Sequence, residues 1–519
     1  MKLKTIIGLF FVFGFIAFVQ AWEKDNPTPY EKKIKTTHNV NKSSDLSQTQ
    51  TPKVTDKKHL SKAPKPGTIV KESIDKETGA IILELGNGAK VILKNITSKY
   101  PSSNTLNLAA LAKGGTMAVT NKDDIPASRF ASEILRQSRA GLFFKKLTEY
   151  KLKKRIFDDF NTHIDAFERC IECCAWPSKD PEPLFELIYL RFTCQEIEPD
   201  KVNEYLKYRL VLDRDVTHLD FLCDNNPNFN VDGSNNQSRF NTDPFQDSYL
   251  GCYDKYFELT DYPKITPERV LKFLKKCFNP ADFTFVFAGN IEIETFKTYV
   301  KKYIASIPRS ETLTNQLFTR PKPSKLEFYE EDNKNCTHVD MHWIIDQKYS
   351  PKMKSTLKVF EQYINAILKN TSDSDNNTSN DDHSGNDNGC ECYINTFFDE
   401  LCITIWNKWY DFAKPNKYIS KAFKHMQSIA QGNIDTDVLL MAKKASVNLY
   451  SKSSDDNEEV SKAYACSTVW NNAPLNEFVN FPIFCKAVSK QDLKDLAGRL
   501  LEGKYYQRII YPKKLKNTK

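Results

Sequence analysis

Apolar residues recur along this chain at two periods, and the changes of period outline its elements. Residues 80–85 and 89–94 are short aliphatic runs around Gly86-Asn87-Gly88, which predicts a hairpin with a positive-φ turn. Residues 105–112 predict a third strand. The period then becomes helical over 126–138, where Ala127, Phe130, Ala131, Ile134 and Leu135 share one face and Asp123 and Asp124 can cap the start. Thr266-Pro267-Glu268 opens another helix with Val270, Leu271, Leu274, Cys277 and Phe278 inward. A buried strand over 282–290 follows, and then a helix with Ile293, Phe296, Val300, Tyr303 and Ile304 inward, ended by Pro308. The same grammar returns later: helices over 353–369 and 436–449, the second with Val438, Met441, Ala442, Ala445 and Leu449 on one side. Ser489 and Asp492 form a capping box for a last helix carrying Leu493, Leu496, Ala497, Leu500 and Leu501, and residues 505–511 close as a strand.

The patterning stops at both ends of this ordered stretch. Lys2 and Lys4 precede the apolar run 6–19, and Val19-Gln20-Ala21 fits a signal-peptidase site, so residues 1–21 are expected to be a cleaved signal rather than a membrane anchor. Residues 22–66 are rich in Lys, Thr, Ser, Asn and Pro and poor in aliphatics, which predicts a disordered linker. Order is expected over 67–312 and 325–515, joined by a linker at 313–324, with a low-complexity loop of Asp, Asn, Ser, Thr and Gly at 371–389. A chain of 519 residues has room for two such domains.

Composition narrows the possible partners. The net charge of +8 is mild for this length, and no basic stripe lies beside aromatics, so nucleic acid is not an expected partner. Thirteen cysteines suit an oxidising route and suggest disulfides, with at least one cysteine left over. Cys170, Cys173, Cys174 and Cys194 have no histidine to complete a zinc set, so disulfides or buried thiols are the better reading. Sequons stand at Asn41, Asn95, Asn236, Asn335, Asn370, Asn376 and Asn377.

Two segments carry a resemblance. "GGTMAVTNKDDIPASRFASEILRQSRAG" and "NPADFTFVFAGNIEIETFKTYVKKYIASIP" resemble the first domain of the pitrilysin/insulinase family, the inverted zincins, and the first looks more like that family's zinc-free second half. The resemblance covers about 67–512. It implies an α+β fold of two tandem domains, each a mostly antiparallel sheet with helices packed on one face. Active members carry H-x-x-E-H on the helix at 126–138, giving two zinc ligands and a general base. Here Phe130, Glu133 and Ile134 stand at those His, Glu and His positions. The resemblance also implies an Arg and a Tyr in the last domain that hold the peptide. No arginine occurs between Arg320 and Arg499, and Tyr393 is the candidate tyrosine.

No other chemistry replaces the missing zinc site. Phe130 and Ile134 cannot coordinate a metal, and Glu133 without metal-activated water reads as a surface carboxylate. His338, Asp340 and His342 alternate with Val339, Met341 and Trp343 as on a strand. That spacing sets the two histidines about 13 Å apart and predicts a solvated strand face. No G-x-S-x-G, phosphate-cradling glycine loop or calcium loop is present. The expectation is a secreted, non-catalytic homologue without zinc or another cofactor, which binds a peptide or a partner protein. The alternatives are a non-catalytic subunit whose partner chain supplies the peptidase site, and a structural subunit of a larger complex.

Overall fold

Two sheets of the same connectivity, followed one after the other along the chain, organise the molecule. The first runs β1 (Ile69–Ile74), β2 (Ile81–Leu85), β3 (Lys90–Asn95), β4 (Thr105–Lys113), β5 (Phe160–Ile164), β6 (Glu168–Pro177) and β7 (Thr284–Gly289), in spatial order β1-β2-β3-β7-β4-β6-β5. The second comprises β8 (Glu327–Asp332), β9 (Thr337–Asp346), β10 (Asp387–Asn395), β11 (Glu400–Trp409) and β12 (Lys504–Pro512), in order β10-β11-β9-β12-β8. In each sheet the last strand returns to lie parallel to an earlier one, β7 beside β3 and β12 beside β8, and every other pairing is antiparallel. Thus β3-β7-β4-β6-β5 repeats as β8-β12-β9-β11-β10, and the first sheet gains the extra strands β1 and β2. This is the tandem α+β architecture expected from the sequence.

The computed structural model describes residues 64–96, 105–119, 121–137, 160–164, 168–194, 197–200, 202–207, 259–311, 313, 327–332, 337–369, 387–395, 399–409, 415–453 and 456–512. All lie within one unit, Leu60–Lys519. The expected signal, the 22–63 part of the linker, most of the 371–389 loop and most of the 313–324 junction lie outside the described residues. Of the sequons, Asn95 lies inside, at the end of β3, where its side-chain oxygen accepts the Ile291 N–H at 3.4 Å.

Helices α1 (Ile125–Gln137), α2 (Glu182–Thr193), α3 (Pro267–Cys277) and α4 (Ile293–Tyr299) close one face of the first sheet. The predicted caps form at α3, where Thr266 accepts the Arg269 N–H, and at the last helix, where Ser489 and Asp492 make a reciprocal box. Asp124 pairs instead with Lys272 of α3 at 3.2 Å. The hairpin turn also forms as expected, with Gly88 at φ +90°. In α3 the inward set is Val270, Phe273, Leu274 and Cys277, so Phe273 takes the place expected for Leu271.

The second half carries α5 (Pro351–Lys369), α6 (Pro415–Ala430), α7 (Thr436–Ser453), α8 (Asn457–Val469), α9 (Asn476–Ala487) and α10 (Lys490–Glu502). Helix α7 corrects one expected face. Met441 is 64% exposed, and Leu439, Ala442 and Ser446 are buried. Because α7 lies against both α5 and α9, a small residue is needed at the close contact, and the Ser446 hydroxyl is satisfied by donating to the Ala442 carbonyl.

Helix α8 belongs by sequence to the second half and packs on the first. Val460, Tyr464, Ala465, Val469 and Trp470 meet Ile92, Ala109, Leu111, Cys170, Val286 and Ala288 on the sheet face opposite α1–α4. Strands β4 and β7 are therefore covered on both faces. That explains why Leu106–Ala112 and the whole of β7 are buried and why neither reads as a simple alternation. At the end of β7, Gly289 has φ +141°, and a Cβ there would stand 2.3 Å from the Thr105 carbonyl oxygen.

Candidate functional site

Helix α1 follows β4 across residues 114–124, which hold two 3-10 turns. Its buried stripe is Ala127, Phe130, Ala131, Ile134 and Leu135, with Phe130 at 4% and Ile134 at 0% exposure. The Phe130 ring lies 5.7 Å from that of Tyr262, and Ser128 ties its hydroxyl to the Ile125 carbonyl at 2.8 Å. The two positions that would bear the zinc-binding histidines thus present carbon to an apolar core. A divalent zinc ion needs three close N, O or S ligands, and these side chains supply none, so the residues present do not fit a zinc site on this helix. The Glu133 side chain lies outside the described residues. Among the described residues no group of three His, Cys, Asp or Glu side chains is placed to hold a metal ion.

The second sheet holds the other candidates. The chain from Thr337 to Trp343 is a strand, as predicted, but its polar face is not fully solvated. His342 is buried, with Nδ1 2.9 Å from the Thr404 hydroxyl on the neighbouring strand, and His338 Nε2 lies 3.1 Å from Asp340. Thr404 is a cross-strand partner of His342, whereas His338 and Asp340 pair along the same strand and stay partly exposed. Tyr393 lies on β10 opposite Cys402, and its side chain is outside the described residues. Arg499 donates to the Asp346 carbonyl at 3.2 Å, a contact at the helix–sheet junction.

The described cysteines are not bridged to one another. All ten described cysteines are free thiols: Cys170, Cys173, Cys174, Cys194, Cys277, Cys390, Cys392, Cys402, Cys466 and Cys485. Successive residues of β6 face opposite ways, so Cys173 joins the α1–α4 core while Cys170 joins the α8 core. Burial pushes the thiols of Cys174, Cys277 and Cys466 up to about 12, which keeps them protonated and poorly nucleophilic.

Two charged groups were not evident from the sequence. Lys462 of α8 reaches Glu458 at 2.7 Å and Glu172 of β6 at 3.8 Å, and the Glu172 carboxyl is raised chiefly by burial. On α2, Glu182 and Glu186 both approach the Tyr303 hydroxyl, at 2.7 and 3.1 Å. Burial is the main cause that pushes Glu186 up to about 7. The i, i+4 spacing of these glutamates was visible in the sequence, but their shared tyrosine comes from a distant turn. Both groups brace elements together and lie apart from α1.

The sequence profile of the Peptidase M16 inactive domain matches residues 264–371. Over these residues the chain resembles the inactive domain of the M16 peptidases. Its fold is similar to that of the periplasmic protease PqqL from Escherichia coli (TM-score 0.66, 15% identity, 95% of this chain and 52% of that one). It is also similar to the ferredoxin protease FusC, solved as a mutant with Arabidopsis ferredoxin (TM-score 0.63, 12% identity, 93% and 49%). A third similar structure is a peptidase M16 inactive domain from Pseudomonas fluorescens (TM-score 0.61, 11% identity, 83% and 98%). The chain spans about half the length of PqqL and of FusC and nearly all of the M16 inactive-domain structure. No curated protein sequence matches it.

Proposed function

We propose that this chain is an exported, non-catalytic M16-type protein that binds a peptide or a protein partner and does not cut it. The observation that carries this reading is the burial of Phe130 and Ile134 in the α1 core, at the positions where the family resemblance places histidines. The similar FusC structure was solved with a protein bound, which supports a protein or an extended peptide as ligand. The lysine-flanked apolar leader supports export, and no helix among the described residues is long and apolar enough to cross a membrane. Metal analysis of the purified protein tests the reading. Zinc well below one equivalent is expected, and one tightly held equivalent would overturn it.

A second reading is favoured by the match to an inactive peptidase domain. Such a chain can serve as the non-catalytic part of a peptidase whose partner chain carries H-x-x-E-H. Affinity capture from the native source separates the two: an equal amount of a zinc-bearing relative supports the subunit, and its absence supports the free-standing binder.

A further inference from the structure

Strand β1 ends the first sheet, and everything but Ile69 in it is exposed. Its outer edge can be derived from two turn bonds. Asp75 N–H donates to Ala80 O, and Leu85 N–H donates to Ala89 O. Antiparallel pairs alternate between bonded and non-bonded, so Ser73 and Lys71 exchange bonds with Ile82 and Glu84, and Glu72 and Ile74 direct their N–H and C=O groups outward. Among the described residues nothing pairs with these outward groups. By contrast, the edge of β10 is closed. There the Asn365 side chain bonds both the N–H and the C=O of Cys390, at 2.8 and 3.1 Å, and Glu361 accepts the N–H of Cys392.

The side chains along β1 specify what fits. Val70, in a bulge, and Ile74 are 64% and 63% exposed, two large apolar groups on either side of Glu72. Glu72 lies 2.6 Å from Lys297 of α4, and Lys297 also lies 3.0 Å from Glu294, so two carboxylates share one ammonium and a negative charge is left over. A second copy fits poorly. In the two registers that overlap most of β1, self-pairing about a twofold axis normal to the sheet is centred on Glu72 or on Lys71, and like charges directly opposite destabilise a ladder. We propose that the outer edge of β1 docks an extended peptide of another protein by strand addition, one that carries a basic residue between two apolar residues at alternate positions. The main-chain ladder supplies affinity, and the Val70–Glu72–Ile74 series supplies selectivity. The proposal rests on the reading that the protein binds rather than cuts.

The test uses the full chain and two fluorescent peptides, Thr-Val-Thr-Lys-Thr-Val-Thr and the same peptide with Glu in place of Lys, followed by anisotropy. The lysine peptide is expected to bind at least about tenfold more tightly. Ile74→Pro removes an outward N–H at an edge position that tolerates proline and is expected to weaken it about tenfold or more. Glu72→Lys, at an exposed side chain, is expected to reverse the preference, and it decides alone if the proline variant is unstable. Equal binding by wild type and both variants, no binding of either peptide by the wild type, or a dimer that the proline variant abolishes would each overturn the β1 site. Mass spectrometry of the recovered peptide keeps the two readings apart. A cleaved peptide overturns the non-catalytic reading, whereas a peptide recovered intact but bound without preference overturns the β1 site.

Discussion

The Phe130 ring on α1 lies 5.7 Å from the Tyr262 ring, tilted by 46°, so an aromatic pair fixes this part of the helix in the core. Placing histidines at both positions should therefore not create a metal site. The double substitution Phe130→His, Ile134→His removes buried apolar volume and inserts two imidazoles without partners. It is expected to cost about 3–5 kcal/mol of stability, read from denaturant unfolding. Zinc should remain below one equivalent in the double variant, because a third protein ligand is still required. A stable variant that holds one zinc ion would show that the metal site persists behind these two side chains.

Arg169 is the buried cation that holds the edge of the first half together. Its guanidinium lies 2.9 Å from Asp282, donates to the carbonyls of Cys277 and Lys113, and faces the Phe283 ring at 5.4 Å. Asp282→Ala leaves that charge buried without its counter-ion and is expected to cost about 3–5 kcal/mol. Adding Arg169→Met should recover part of the loss. A double-mutant cycle on unfolding free energies checks the coupling, and strictly additive losses would mean the two residues act independently.

The seat of α8 predicts an effect that crosses between the halves. Tyr464 is 1% exposed and lies in the cluster that includes Ala109, Leu111 and Val286 of the first sheet. Tyr464→Ala is expected to cost about 3–5 kcal/mol. It should also speed amide exchange in β4 and β7, although the substituted residue lies in the second half. Exchange that rises only within the second half would show that α8 does not stabilise the first sheet.

Gly289 offers a backbone test at the same sheet. Alanine there meets the Thr105 carbonyl oxygen at 2.3 Å and must adopt φ +141°. Gly289→Ala is expected to destabilise by about 3 kcal/mol or more, measured as the shift of the denaturant midpoint.

Most elements were legible because local rules decide them. The Gly86-Asn87-Gly88 hairpin, the Thr266 cap and the Ser489 box depend on neighbours a few residues away. The face of α1 was legible for the same reason, since Phe130 and Ile134 sit at helical spacing with other apolar residues. What escaped were contacts between distant segments. Met441 reads as inward by periodicity, but the packing of α7 against α5 and α9 selects Leu439 and Ser446 instead. His342 reads as solvated by alternation, and a neighbouring strand supplies Thr404. The cysteine count suggested disulfides, whereas the described thiols are spread among separate cores. The Glu182–Tyr303–Glu186 cluster joins residues more than a hundred positions apart, and no local signal marks it.

That cluster gives a pH prediction. Burial, with Glu182 nearby, outweighs the Tyr303 hydrogen bond and raises the Glu186 carboxyl from 4.5 to about 7 in the folded protein. The folded state therefore holds a proton that the unfolded chain releases between about pH 4.5 and 7. The stabilisation is fully present below the unfolded value and is lost as pH rises through the folded one. With allowance for partial solvent screening, the loss between pH 5 and 8 is about 1–2 kcal/mol. Glu186→Gln, which is neutral at every pH, should remove this part of the slope. Unfolding free energies of both proteins at pH 5 and 8 provide the check. An equal pH dependence in the two would show that Glu186 titrates alike folded and unfolded, and that Tyr303 holds it as an ordinary surface carboxylate.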